Sequence, residues 1–480
     1  MELDKELVPG GSDMSPEEFR RYGHMVVDRI ARYLEDVEHS PVLSRVAPGM
    51  VRASLPASAP QAGEDMEAIL ADFDDKILPG VTHWNHPGFM AYFAITGSGP
   101  GILGELLTAG LNVNGMLWRG SPAATELEEV TLDWLRQLMG LPDPLFGEIT
   151  DTASSSTLYA LAAAREFADL GIHERGTGGQ RLRVYCSAEA HSSVDKAVIT
   201  LGLGSDGVRH IPVDERFRMR SDLLAAAIAE DRAAGIRPIA VVATVGTTGT
   251  TSIDPVPEIA SICEREGLWL HVDASYAGIA AIVPEKRYVL AGVERAHSLV
   301  VNPHKWLFVP IDCSVLYTRE RAALKAAFAL PLEILSTPEP GVTNLMDYGM
   351  SLGRRFRALK LWFVLRYFGA DGIAARLREH MRLAQIVARW AEESELFELC
   401  APVELSTVVF RYNRPSLSAA EADAANAKIL ERVNESGVVF LSGTTAGGSR
   451  VIRLSIGNLR TTERHVTRTL ELLERTAREL

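Results

Sequence analysis

Between Asn112 and Phe368 short β-branched runs alternate with stretches long enough to be helices, and this alternation constrains the chain more than any other feature. Arg183-Val-Tyr-Cys186, Pro238 to Thr244, Leu268 to Val272 and Leu299 to Val301 are the clearest strands. Parallel strands need crossover connections, so the pattern predicts an α/β unit with a mostly parallel sheet. Such sheets place ligands beyond the carboxyl ends of their strands. The chemistry is therefore to be sought at strand C-termini.

Two strand ends stand out. Gly267-Leu-Trp-Leu-His-Val-Asp273 is a continuous apolar run that stops on an acid, and Ser298-Leu-Val-Val-Asn302 runs into Pro303-His-Lys-Trp306. A desolvated lysine at a strand end can form an imine with an aldehyde. A carboxylate on the neighbouring strand can keep a pyridine nitrogen protonated. Together these are the protein groups that pyridoxal 5'-phosphate chemistry requires. Taken singly, each has an ordinary structural reading: Asp273 as a turn cap, Lys305 as a surface lysine beside a proline.

The motifs His271-Val-Asp-Ala-Ser-Tyr-Ala-Gly278, Asn302-Pro-His-Lys-Trp-Leu307 and Asp312-Cys-Ser314 resemble the group II pyridoxal phosphate-dependent decarboxylases, in their aromatic-L-amino-acid decarboxylase branch. The similarity runs from Phe19 to about Val466. Further landmarks are Val81-Thr-His-Trp84, Ser121 to Glu128, Ala190-His-Ser-Ser-Val194 and Leu352-Gly-Arg-Arg-Phe356. The resemblance implies a type I aminotransferase-like fold in three parts: an N-terminal helical dimerisation segment (1–111), a large cofactor-binding α/β domain (112–368) and a small C-terminal α/β domain (369–480). It also implies a homodimer with the active site at the subunit interface. The small part would include a helix from Ile373 to Ser394 and strands near Val408–Tyr412 and Arg450–Ser455.

Residue by residue, the resemblance makes Lys305, His191 and Asp273 catalytic. It adds Ala153, Ser154, Thr248, Ser275 and Asn302 as cofactor contacts. The Ser-rich stretch Asp151–Thr157 suits a phosphate because it precedes a helical run. His191 would lie over the cofactor ring, while His304 would organise the site beside Lys305. Trp84, Tyr92 and Phe93 are candidates for an aromatic substrate wall. The implied reaction is decarboxylation of an L-amino acid, aromatic in type, through a Schiff base on Lys305 and a quinonoid, releasing an amine and CO2.

Two departures from the family pattern bear on the outcome. Ile334 stands where the decarboxylases carry a loop tyrosine that assists protonation, and the loop before Leu352 is shorter. An apolar residue there keeps open an aldehyde synthase, in which the carbanion reacts with O2; an aldolase or transaminase outcome is a further alternative. In the pocket, Ile95 replaces a usual threonine, with Thr96 next to it, and Asn114 and Met116 occupy positions that are apolar and aromatic in the animal enzymes.

Ser15-Pro-Glu-Glu18 reads as a helix start with a capping box, followed by Phe19, Tyr22, Val26, Ile30, Tyr33 and Val37 at helical spacing with little local sequence to cover them. Val51 to Ala62 reads as an extended connector. A formal charge of -13 argues against nucleic acid or an acidic membrane as partner. No run is long enough to span a bilayer and no signal segment is evident. Four scattered cysteines without a CxxC point to free thiols in the cytoplasm, and no metal site is expected.

Overall fold

The computed structural model describes residues 13–330 and 339–480. Seven strands form the larger sheet: β1 (Phe146–Thr150), β2 (Leu182–Ser187), β3 (Val208–Ile211), β4 (Arg237–Thr244), β5 (Trp269–Asp273), β6 (Ser298–Val301) and β7 (Ser314–Thr318), in the order β1-β7-β6-β5-β4-β2-β3. Strands β6, β5, β4, β2 and β3 pair in parallel, and only β7 runs against its neighbours on both sides. This is the mostly parallel α/β sheet that the alternation predicts. All five residues of β5 are buried, which is why it reads as an unbroken apolar run rather than an alternating one.

A second sheet of four strands has the order β10-β11-β9-β8, from β8 (Phe397–Leu399), β9 (Thr407–Tyr412), β10 (Ser442–Ala446) and β11 (Ser449–Ser455). Its pairs are antiparallel, and it shares an apolar core with the helices at 358–393, 419–435 and 463–478. The first of these, Ala358–Glu393, breaks at Gly369, where φ is 60° and a side chain would be strained. The break separates a helix before Gly369 from one after it, and the second contains the stretch expected from Ile373.

The N-terminal helix runs Pro16–Asp36, and the capping box forms as read from the sequence: Ser15 and Glu18 satisfy each other's backbone N–H groups. None of its residues is buried, and Phe19 is 62% exposed. One expectation needs correction. The Pro- and Ala-rich connector is not extended throughout, because Met50–Ser54 forms a short helix before Leu55. The run Met-Val-Arg-Ala-Ser holds no proline or glycine, and the prolines that suggested an extended chain begin only at Pro56.

Candidate active site

Sheet topology carries the candidate residues to one edge. Thr150, Ser187, Thr244, Asp273 and Val301 end β1, β2, β4, β5 and β6, and the segments that follow hold Ala153, His191, Thr248, Ser275 and Lys305. Asp273 pairs in register with Val300 on the adjacent strand, so the two motifs singled out in the sequence lie side by side.

Lys305 sits in the turn of helix Pro303–Trp306, half-buried, with its amine 5.1 Å from the centre of the Phe93 ring. Burial lowers its pKa; the Asp273 carboxylate opposes that shift and the Arg453 guanidinium adds to it. The amine is therefore biased toward its neutral, nucleophilic form, with a carboxylate near enough to be felt. Asp273 is buried and receives two bonds on Oδ1, from the Ser275 N–H at 3.1 Å and from the Ser275 hydroxyl. Its Oδ2 makes no hydrogen bond among the described residues.

His191 lies past β2, partly open to solvent. Its Nδ1 accepts the Ser193 N–H at 3.1 Å and lies 2.9 Å from the Ser193 hydroxyl. An acceptor at Nδ1 puts the ring proton on Nε2, the edge left to face a ligand. Burial lowers the His191 pKa, while Asp273 raises it and Lys305 lowers it. These mutual effects bring His191, Asp273 and Lys305 together electrostatically.

The helix Ala153–Phe167 begins at the same edge, and its N-cap Thr152 makes no side-chain bond to the first turn. The amides of that turn, at Ala153 and Ser154, are left for an anion. Asn302 is buried and its Oδ1 has no partner among the described residues. Thr248 is exposed four residues beyond β4. Uncapped amides, an orphaned Asn302 oxygen and a depressed lysine amine form a donor and acceptor set that fits pyridoxal phosphate.

Of the three aromatic wall candidates, the structure brings Phe93 to Lys305. Trp84 and Tyr92 instead stack on each other at 6.0 Å, with Phe440 edge-on to Tyr92 at 5.6 Å. Tyr92 is 52% exposed and has φ of +50°, an uncommon conformation for a bulky side chain. Thr96 is buried with an unpaired hydroxyl, whereas Asn114 is occupied by the backbone N–H of Arg354. His304 accepts the Cys313 N–H at 3.0 Å, and burial pushes its pKa down to about 3, so it organises the backbone beside Lys305 as a neutral ring. Ile334 lies outside the described residues.

Arg453 is the residue that sequence reasoning missed. It lies in β11, is 3% exposed, and sits 4.6 Å over the same Phe93 ring that faces the Lys305 amine. One nitrogen donates to the Tyr92 carbonyl, while Nε and Nη2 have no partner among the described residues. Burial pushes its pKa down to about 10, and the protein still holds it there without a carboxylate. The sequence itself offers only a charge within the strand-like run Arg450–Ser455.

Comparison with known proteins gives a consistent set of matches. Residues 48–413 match the pyridoxal-dependent decarboxylase conserved domain. Aromatic-L-amino-acid decarboxylase of Sus scrofa is 39% identical over 485 residues, covering 97% of this chain and 98% of that protein. Phenylacetaldehyde synthase of Petunia hybrida is 39% identical over 475 residues, covering 95% and 93%. The crystal structure of Oryza sativa TDC with PLP and tryptamine superposes with a TM-score of 0.95 at 35% identity, covering 98% of this chain and 99% of that one.

Proposed function

The chain belongs to the pyridoxal-dependent decarboxylase family, and from that premise we propose how its own residues divide the work. It is a pyridoxal phosphate-dependent carboxy-lyase that decarboxylates an aromatic amino acid. When bound, the cofactor supplies an aldehyde for a lysine and a ring that takes up electrons from a bond broken at Cα.

Lys305 would hold the cofactor through its amine, a role suited to an amine whose pKa burial lowers. Asp273 would present its free Oδ2 to the ring nitrogen, with the two Ser275 bonds on Oδ1 fixing the carboxylate's plane. Amides of Ala153 and Ser154 would hold the phosphate, with the Thr248 hydroxyl and the Asn302 side-chain N–H groups completing its contacts. His191 would cover the ring and present its Nε2 proton there.

Arg453 offers Nε and Nη2 to the substrate carboxylate. Holding that group in one place matters because only the bond aligned with the ring's π system breaks. Trp84, Tyr92 and Phe93 form the aromatic wall, with Phe93 at the reacting end. The observation that carries this reading is the convergence of Lys305 and Arg453 on one ring beside Asp273, with the lysine's pKa lowered and the arginine's donors unpaired.

A second outcome is favoured by Ile334 and by the similarity to a phenylacetaldehyde synthase: oxidation by O2 after CO2 leaves, giving an aldehyde, ammonia and peroxide. Incubation with pyridoxal phosphate and L-Phe, L-Tyr, L-Dopa, L-Trp or L-His, with CO2, amine, aldehyde and peroxide all measured, separates the two. Amine equal to CO2 supports the decarboxylase; aldehyde and peroxide equal to CO2 establish the synthase.

The working form is a homodimer with the site at the subunit interface. Supporting this, the helix Gly99–Leu111 leaves Leu103, Leu106, Leu107 and Leu111 each at least half exposed, along one face. The N-terminal helix buries none of its own residues and meets its own chain through polar contacts such as Arg29 to Asp74 at 3.0 Å and Tyr33 to His83 at 3.2 Å, leaving Phe19, Val26 and Val27 exposed. No helix among the described residues is long and apolar enough to cross a membrane, and all four cysteines are free. Placement in the reducing cytoplasm fits the free thiols.

A further inference from the structure

The residue after Lys305 begins a stack of rings that returns to the Lys305 amine. Trp306 is fully buried and stacks on Tyr276, with centroids 4.7 Å apart and planes 12° apart. Tyr276 stacks in turn on Phe93 at 3.9 Å and 17°. The Phe93 ring then carries the Lys305 amine at 5.1 Å and the Arg453 guanidinium at 4.6 Å. The backbone end and the amine end of Lys305 are thus joined by three stacked side chains.

One polar contact fixes the far end of that stack. The Trp306 indole N–H donates to His380 Nδ1 at 3.0 Å, and both residues are completely buried. Indole can only donate, so the bond requires a lone pair on Nδ1 and places the imidazole proton on Nε2. Burial pushes the His380 pKa down to about 3, with the Asn458 backbone opposing that shift, while Nε2 has no hydrogen-bond partner among the described residues. The acceptor therefore persists throughout the working pH range. Asn458 also donates to the carbonyls of Trp84 at 3.1 Å and His86 at 2.9 Å, so the same anchor reaches the aromatic wall. Tyr276 is held sideways by its hydroxyl on Ser406. Rotation of Trp306 is what His380 prevents, and a rotated Trp306 would displace Tyr276 and then Phe93.

We propose that His380 is a positioning residue for Lys305: by holding the Trp306 N–H it sets the Trp306–Tyr276–Phe93 stack, and so the place of the lysine amine and of Arg453. The proposal rests on Lys305 being the cofactor's lysine. The test uses the full-length holoenzyme and three variants, His380→Leu, His380→Gln and Trp306→Phe. The readouts are the pH midpoint of the bound cofactor's visible absorbance, kcat and KM separately, and Tm.

Removing the acceptor in His380→Leu shifts the absorbance midpoint and lowers kcat roughly tenfold, with a smaller change in KM. His380→Gln restores both, since its amide oxygen accepts the indole N–H. Trp306→Phe keeps a ring in the stack and removes only the donor; it reproduces the shift even where His380→Leu fails to fold. A variant with lower Tm but unchanged midpoint and kcat overturns the proposal and leaves His380 a core residue. Visible absorbance that survives Lys305→Ala overturns the reading beneath it instead.

Discussion

Two buried charge clusters lie against the larger sheet and resolve their imbalance in opposite ways. Around Phe93, two basic groups, Lys305 and Arg453, face one carboxylate, Asp273, and two guanidinium donors stay unpaired. Beside β1, two buried carboxyls, Glu128 and Glu148, share the single guanidinium of Arg354. Arg354 is paired there at 2.9 Å to Glu128 and at 2.7 Å to the Ile149 carbonyl. Glu148 is left without a partner on Oε1, and burial pushes its pKa up to about 8. The acidic cluster neutralises itself by keeping a proton. The basic one cannot, because its arginine stays charged, so it waits for an anion. A fold tolerates the second arrangement where a ligand completes it.

The largest effect expected from breaking the basic cluster comes from Lys305→Ala, which removes turnover by ~10³-fold or more, read as CO2 release under saturating substrate. Next is Arg453→Gln, which keeps much of the volume and loses the charge. It should lower kcat/KM on the order of a hundredfold, the scale of about 3 kcal/mol for a charge-assisted contact to an ion. A normal kcat/KM in this variant would move the carboxylate contact elsewhere.

The acidic cluster is sharpened by Glu148→Gln. In the folded wild type the carboxyl keeps its proton up to about 8, whereas unfolded it ionises near its ordinary 4.5. Between those values the folded state binds more protons, so this group's contribution to stability is intact below 4.5 and is lost as pH rises to about 8. The variant lacks that loss. Its urea midpoint, relative to wild type, should be higher at pH 8 than at pH 5, with little change in kcat. The clearest effect on assembly belongs to Leu106→Ser with Leu107→Ser, which should shift the sedimentation of the proposed dimer toward monomer.

The strand ends of the basic cluster were legible in the sequence because β5 and β6 are buried runs that stop where the chemistry begins, at Asp273 and just before Lys305. Arg453 was not, because a pattern of strand residues records which elements form and leaves out which side chains lack partners. Its neighbours Val451, Ile452 and Leu454 simply read as β-strand. His380 was hidden for the opposite reason. It shares a helix face with Leu377, Met381 and Ala384, all buried, so it reads as an ordinary histidine within a core stripe. Its partner Trp306 is 74 positions away in sequence, and no local spacing connects the two. The acidic cluster escaped notice likewise, since Glu148 sits inside a short strand and meets Arg354 only in three dimensions.

The central claim is that Lys305 holds the cofactor beside Asp273, and borohydride treatment of the holoenzyme tests it most directly by fixing the cofactor irreversibly onto whichever lysine carries it. Peptide mapping should then find the reduced adduct on the peptide containing Pro303-His304-Lys305-Trp306 and nowhere else. An adduct on another lysine, such as Lys286 or Lys360, with Lys305 unmodified, would contradict the account.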